Sequence, residues 1–421
     1  MSEKRRDSKG RILRTGESQR KDGRYAYKYT DAYGKSQFIY AWKLVATDRT
    51  PTGKRDDIAL RDKVKEIRKD IDDGIDIIGK KMTVCQLLQK QNNQKKNVKR
   101  NGQKSRDYLM GVLQNDPLGA KSIDAVKPSD AKEWAVRMSD KGFAFQTINN
   151  FKRSLRAAFF MAVEDDYIRK NPFNFVLNAV IEDDREPKQA LRPEQVDSLL
   201  DFAANDSTYK KYVDEIIILL ETGLRISEFC GLTTKVDLVA RSILIDHQLL
   251  YDTEVGYYIE SPKTKSGSRT VPMSEKAYQA FQRVLSNRGK ASSLKVDGYS
   301  DFLFLKQDGK PKVSSNVESM LKGLVKKYNK VHKDHPLIKV TPHTFRHTFC
   351  TNKANAGMNP KALQYIMGHS NITMTLNYYA HADFTSAQAE MERVERQQAE
   401  IQQAEVQQIE VDKAEKKERA A

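Results

Sequence analysis

Three helix starts between Thr341 and His381 confine where that stretch can point its polar side chains. In "VTPHTFRHTFCT" (Val340–Thr351), Thr341 is a good N-cap. Pro342 suits the first helical position, where its missing N–H costs nothing. His343 and Arg346 are three apart and share one face of the first turn. His347 lies one step round and is expected to pack or cap. In "NPKALQYIMGHSNITMTLNYYAH" (Asn359–His381), Asn359-Pro360 opens a second helix and Gly368 ends it. His369 follows in the turn. Ser370 or Asn371 caps a third helix, which carries Tyr378 and Tyr379. Helix starts favour anions, because their free N–H groups and dipole point outward.

Two upstream motifs add to this set. In "ETGLRISEFCGL" (Glu221–Leu232), the helix carrying "IIILL" runs out at Gly223, and Arg225 opens another with Glu228 one turn on. An arginine just after a glycine turn reaches a site while its backbone stays buried; a plain Arg–Glu helix pair is the alternative. "SPKTKSGSRTVPM" (Ser261–Met273) reads as a hairpin with Lys265 near its tip, either in a site or simply solvated. Lys263 competes with it. Together these are two arginines, a lysine, two histidines and a tyrosine. Arginines hold phosphate oxygens bidentately and stabilise charge in the transition state. A lysine or histidine protonates a leaving oxygen, and another group takes a phenol proton. A phenol, with a pKa of about 10, needs that help to attack and store a bond as a phosphotyrosyl ester. The histidines have no Cys or carboxylate at ligand spacing, so no metal site is expected. No Walker motif or acidic cluster appears, so no cofactor is expected either.

The chain has 421 residues, a formal net charge of +17 and 31% charged residues. Charge of that sign calls for a polyanion, nucleic acid before membrane. No apolar run approaches the ~20 residues of a membrane span, and the basic N-terminus lacks the apolar region of a secretory signal. Cys85, Cys230 and Cys350 are scattered and read as free thiols of a reducing cytoplasm. Residues 1–73 carry 20 Lys and Arg against 13 Asp and Glu. "RYAYKYT" and "SQFIYAW" alternate at strand period around the turn "DAYGK", and a helix follows with Leu60, Val64, Ile67 and Ile71 on one stripe. This predicts a small three-stranded sheet plus a helix, its free face basic and aromatic. Arg24, Tyr27, Lys28 and Tyr40 are its candidate DNA contacts, a basic solvated surface being the alternative.

"GIDIIGKK" (Gly74–Lys81) reads as a linker and residues 82–175 as all-α. There Ile148, Phe151, Leu155, Ala158 and Phe159 form a buried stripe, and "NPF" (Asn171–Phe173) stops the helix. Lys152, Arg153 and Arg156 are expected to face away toward phosphates. Lys95, Lys96, Lys99 and Arg100 lie in a basic junction. Val180–Leu191 reads as a second linker. Residues 190–384 form a mixed α/β region, mainly α. Residues 385–421 form an Ala/Gln/Glu-rich helical tail that packs on a partner or frays.

In order and spacing, "TGLRISE", the lysine, "HTFRH" and "GHSNITMTLNYYAH" resemble the tyrosine recombinase (phage integrase) family. Residues 82–175 are similar to that family's core-binding domain. The N-terminal sheet is similar to the arm-binding domain of integrases from conjugative transposons. The resemblance implies a site-specific recombinase of a mobile element. Arg225 and Arg346 would clamp the scissile phosphate, and His369 would hydrogen-bond one of its oxygens. His343 would assist proton transfer and Lys265 would serve as the acid. Tyr379 would be the nucleophile: His369 lies ten residues before it and His381 two after, whereas Tyr378 fits only a nine-residue variant of the pattern. Integration and excision would pass through a 3′-phosphotyrosine and a Holliday junction, on a homotetramer holding double-stranded transposon ends and target or attachment sites. The family usually draws on an accessory protein for excision. A type IB-like topoisomerase and a non-catalytic architectural DNA-binding protein are the competing readings. Strand exchange would distinguish the first from a recombinase, and a covalent adduct the second.

Overall fold

The computed structural model describes residues 4–379 apart from 32–33, 77–78, 96–97, 186–188, 263, 290–293 and 338, with isolated positions between 388 and 399. Lys96, Lys263, His381 and nearly all of the C-terminal tail lie outside the described residues. The chain divides into two compact units, Met1–Glu186 and Pro187–Ala421.

The first unit opens with an antiparallel sheet of β1 (Glu17–Gln19), β2 (Tyr25–Thr30) and β3 (Ser36–Ala41), in that order. Alternation sends Tyr25, Tyr27 and Ala41 inward, onto Leu44, Leu60 and Val64. Helix α1 (Leu60–Asp72) supplies the last two. Its expected stripe fails at the end: Ile71 is 43% exposed and Asp70 is buried instead. The Asp70 carboxylate is held by Lys80 and, at 2.8 Å, by Arg169, so a charge fills an apolar position. The same contacts fasten the expected linker Gly74–Lys81: Ile75 is buried and the Asp76 N–H donates to the Asp166 carbonyl.

Helices α2 (Val84–Asn93), α3 (Arg100–Gln114), α4 (Pro117–Ala120), α5 (Pro128–Asp140) and α6 (Phe145–Glu164) complete the unit. The five expected stripe residues of α6 are all buried, together with Trp134 and Phe173. Asn171-Pro172 does not end α6. The helix stops at Glu164, and Asp166 turns left-handed (φ 55°) while the Tyr167 N–H returns to the Ala162 carbonyl.

The second unit is mainly helical, built from α7 (Pro193–Asn205), α8 (Val213–Thr222), α9 (Ile226–Gly231), α10 (Glu275–Ser286), α11 (Ser314–Val331), α12 (Pro342–Asn355), α13 (Pro360–Met367) and α14 (Thr373–Leu376). Four short strands form two separate pairs: β4 (Ser242–Ile245) with β7 (Arg269–Pro272), and β5 (Gln248–Asp252) with β6 (Gly256–Glu260). Among the described residues, the expected hairpin around Lys265 therefore does not form. Ser261 and Pro262 are not strand, Pro262 has no N–H for a ladder, and Lys265–Gly267 is a single tight turn. Among the described residues no helix is long and apolar enough to cross a membrane.

Candidate active site

Two glycines place the backbone of the site. Helix α8 is apolar along Ile216, Ile218 and Leu219, buries them, and ends at Gly223 with φ 61°. A Cβ there would meet the Phe349 ring at 2.4 Å. Helix α13 is capped by Asn359, whose side chain accepts from the Lys361 N–H at 2.8 Å, and ends at Gly368 with φ 62°. A Cβ at Gly368 would lie 2.9 Å from an Arg269 nitrogen and 3.0 Å from the Ser266 carbonyl. Only glycine allows both the left-handed turn and the close approach.

Both helix ends then receive arginines. Arg346 is buried in α12, which opens as expected with Thr341 capping and Pro342 at its start. Its guanidinium donates to the Gly223 carbonyl at 2.6 Å and to the Met367 carbonyl. Arg225 caps α9 and donates to the Gly368 carbonyl at 2.8 Å and to Glu228 at 2.7 Å. His369 is 5% exposed, and its Nδ1 stands 2.9 Å from Thr375 Oγ1. His343 is exposed on the first turn of α12, one turn before Arg346, close enough for its charge to weigh on His369.

A third arginine, passed over at the level of sequence, ties these parts together. Arg269 is fully buried and donates to both Glu228 oxygens (3.1 and 2.9 Å), the Ile366 carbonyl (2.6 Å) and the Gly267 carbonyl (2.9 Å). It thereby links the Lys265 turn, the partner of Arg225 and the helix end before His369. The signal was available: Arg269 and Val271 alternate inward along β7, so an arginine occupied a core position.

Charge in the pocket is unbalanced. Burial pushes the Glu228 carboxyl up, but hydrogen bonds and charge from Arg269, with Arg225, outweigh it and hold the group ionised below its usual range. Burial, then the Arg225 charge, pushes Arg346 down to about 9. Burial, then the charges of Arg346 and Arg225, pushes His369 down to about 4, so its ring is neutral at pH 7. Three guanidiniums face one carboxylate, and each further proton is resisted. A site of this kind is suited to a tightly held oxyanion.

The structure does not bring Lys265 and Tyr379 into the cluster. Lys265 is exposed on the turn whose Ser266 carbonyl abuts Gly368. The Tyr379 phenol donates to the Met358 carbonyl. Tyr378 meets His347, whose Nδ1 is 3.1 Å from its phenol oxygen, with ring centroids 5.0 Å apart; His347 packs as expected. Burial raises the pKa of both phenols.

Of the candidate DNA contacts, Lys28 and Tyr40 are exposed on the outer sheet face beside Phe38. The Arg24 guanidinium lies 5.3 Å from the Tyr40 ring centre and 5.7 Å from that of Trp42. Tyr27 is a core residue, not a surface contact: it follows Tyr25 at strand period, and its hydroxyl is 3.3 Å from Arg68. Lys95, Arg100, Arg153 and Arg156 are exposed, and Lys99 is half-buried. Lys152 does not face away toward phosphates either: it is buried against the Phe175 ring at 4.6 Å, where burial and then Arg156 lower its pKa.

A pocket suited to an oxyanion, with tyrosines on the segment that follows, is the arrangement a tyrosine-type DNA strand transferase needs. The profile of the phage integrase family matches residues 189–386, and that of the DNA binding domain of tn916 integrase matches residues 1–71. The chain is 65% identical over 395 residues to the transposase from transposon Tn916 of Enterococcus faecalis, covering 94% of this chain and 97% of that one. The same figures hold for the transposase from transposon Tn1545 of Streptococcus pneumoniae. Among solved structures, it resembles a fragment of the Tn1549 transposon integrase bearing R225K, in complex with a circular intermediate DNA. The TM-score is 0.71 at 59% identity, over 74% of this chain and 99% of that one. A Y379F form of the fragment, with transposon right end DNA, matches equally. The chain belongs to the phage integrase family and is a tyrosine-type site-specific recombinase, an integrase of the kind found in conjugative transposons.

Proposed function

We propose that six residues of the second unit carry the strand exchange of this integrase. Arg225 and Arg346 clamp the non-bridging oxygens of the scissile phosphate, and His369 donates a hydrogen bond to one of them. Tyr379 attacks phosphorus as the bond to the 5′-oxygen breaks. His343 assists removal of the phenol proton, and Lys265 protonates the leaving oxygen. A 5′-hydroxyl of the second duplex then attacks the 3′-phosphotyrosine, giving a Holliday junction that a second round resolves. Residues 1–73 and 82–175 clamp the duplex and bridge arm-type and core sites, residues 190–384 carry the chemistry, and 385–421 dock on a neighbouring protomer of a tetramer. The enzyme works in the bacterial cytoplasm, without a cofactor, on transposon ends and target or attachment sites, with an accessory protein for excision.

The convergence of Arg225, Arg346 and a neutral His369 on one pocket, with positive charge exceeding that of Glu228, carries this reading. Arg225 and Tyr379 also bear the numbers of the replacements in the Tn1549 integrase fragments. Tyr378 is the rival nucleophile, because its phenol lies within the field of Arg346. The test incubates wild type, Tyr379→Phe and Tyr378→Phe with a nicked suicide duplex bearing a terminal-repeat sequence, followed by a denaturing gel. An adduct lost only in Tyr379→Phe is expected. Loss only in Tyr378→Phe would move the nucleophile by one residue. Absence of adduct from wild type on DNA that it binds would sink the proposal.

A further inference from the structure

One buried hydroxyl beside the pocket has no part in those steps. Thr375 lies in α14, fully buried, and among the described residues its hydroxyl has a single partner, Nδ1 of His369 at 2.9 Å. A neutral imidazole carries one N–H and one bare nitrogen, and the hydrogen bond made at one nitrogen decides where the proton sits. If Nδ1 carried the proton, the Thr375 oxygen would accept it, and its own O–H would be buried with nothing to receive it. Orphaned buried donors are costly and rare. With the hydroxyl donating instead, Nδ1 is the bare nitrogen and Nε2 carries the hydrogen.

We propose that Thr375 is a positioning residue that holds the His369 ring as its Nε2–H tautomer and so aims that N–H at a non-bridging oxygen of the scissile phosphate. This role rests on the reading of His369 as a phosphate contact. The charges that weigh on the ring are those of Arg346 of α12, Arg225 of α9, Arg269 of β7 and His343 of α12, in that order. Burial and these charges resist a second ring proton, so the choice of tautomer is what its surroundings leave to be set. Thr375 also stands four residues before Tyr379, so the tyrosine-bearing segment touches the pocket through this bond.

The test uses the full chain labelled with 15N-histidine and reads the His369 ring nitrogens directly at pH 7.5. Single-turnover adduct formation on the suicide duplex is measured in parallel. Wild type should show a bare, hydrogen-bonded Nδ1 and a protonated Nε2. Thr375→Val, close to isosteric, should lose that Nδ1 signature and slow adduct formation by ~10–100-fold at unchanged DNA affinity, the scale found when the partner that orients a metal-bound histidine is removed. Thr375→Ser, which keeps the hydroxyl, should restore both. A protonated Nδ1 in wild type would overturn the proposal, as would a Thr375→Val variant that cleaves at the wild-type rate. His369→Ala separates the two layers. Wild-type cleavage by that variant would remove the phosphate contact itself, and the catalytic role of Thr375 with it, even if the tautomer is as stated.

Discussion

Arg346 and Tyr379 both donate to backbone carbonyls, but from very different supports. Arg346 projects from a helix of 14 residues, is buried, and joins the ends of α8 and α13 through two carbonyls. Tyr379 follows a helix of four residues and is held by one carbonyl, that of Met358. On the proposed assignment, the half of the site that would receive the phosphate is fixed by the core. The half that would supply the nucleophile is fixed by local bonds, and the Tyr379 phenol would have to leave its carbonyl before attacking. Preorganised donors stabilise developing charge without reorganising at the moment of reaction, which explains why the arginines, not the tyrosine, are built into the core.

The largest expected effect tests the rigid half. Arg346→Lys loses the planar fork that serves two carbonyls and an anion together. In surroundings that already push an arginine down to about 9, a lysine starts lower and is lowered by the same burial, so it keeps only part of its charge near pH 7. Adduct formation should fall by about 10²–10³-fold, the usual cost of a lost oxyanion donor. Single-turnover trapping measures it, and a loss below about threefold would show that the buried fork is not what holds the phosphate.

On stability instead of rate, the comparable test is Arg269→Met, which removes the tie between the rigid elements. It leaves Glu228 buried with Arg225 alone and strips the Ile366 and Gly267 carbonyls of their donor. Breaking a buried ion pair costs ~3–5 kcal/mol, because one charge stays behind. Urea unfolding of the full chain should show a loss of this order in the second unit. A loss under about 1 kcal/mol would mean that the pocket's frame does not depend on Arg269.

How much of this was legible in the sequence follows from the range of each interaction. The helix boundaries at Gly223, Thr341, Asn359 and Gly368 were readable because a cap or left-handed turn is decided within a few residues. These boundaries carry Arg225, Arg346 and His369, so the gathering of those three side chains was readable too. Arg269 was readable only as a core position at strand period; its ion pair was not, because its partner Glu228 lies 41 residues away. The hairpin at Lys265 failed for a related reason: β7 pairs with β4, upstream of the nearer β5 and β6, and strand partners are not a local property. Tyr27 and Lys152 failed on orientation. Each is polar at one end only, and a phenol or a lysine stem fills a core position when a neighbour such as Arg68 or Phe175 receives its polar end.

The smallest expected effect sharpens the difference between the adjacent tyrosines. The tyrosines lie just beyond the end of α14 and not on the expected helix: their N–H groups return to the Thr375 and Leu376 carbonyls in a tight turn, and the two phenols leave it toward different partners, His347 and the Met358 carbonyl. Tyr378 has a packing role in view: its ring tilts against His347 and its hydroxyl meets Nδ1 at 3.1 Å. Tyr378→Phe keeps the ring and removes only that hydrogen bond, worth ~0.5–1.5 kcal/mol. Unfolding should shift by that amount, and adduct yield should stay within about threefold of wild type. Abolished adduct with unchanged stability would reverse the assignment. It would place the nucleophile on the tyrosine that the structure already sets within the field of Arg346, and the contrast between a preformed phosphate pocket and a nucleophile that must travel would disappear.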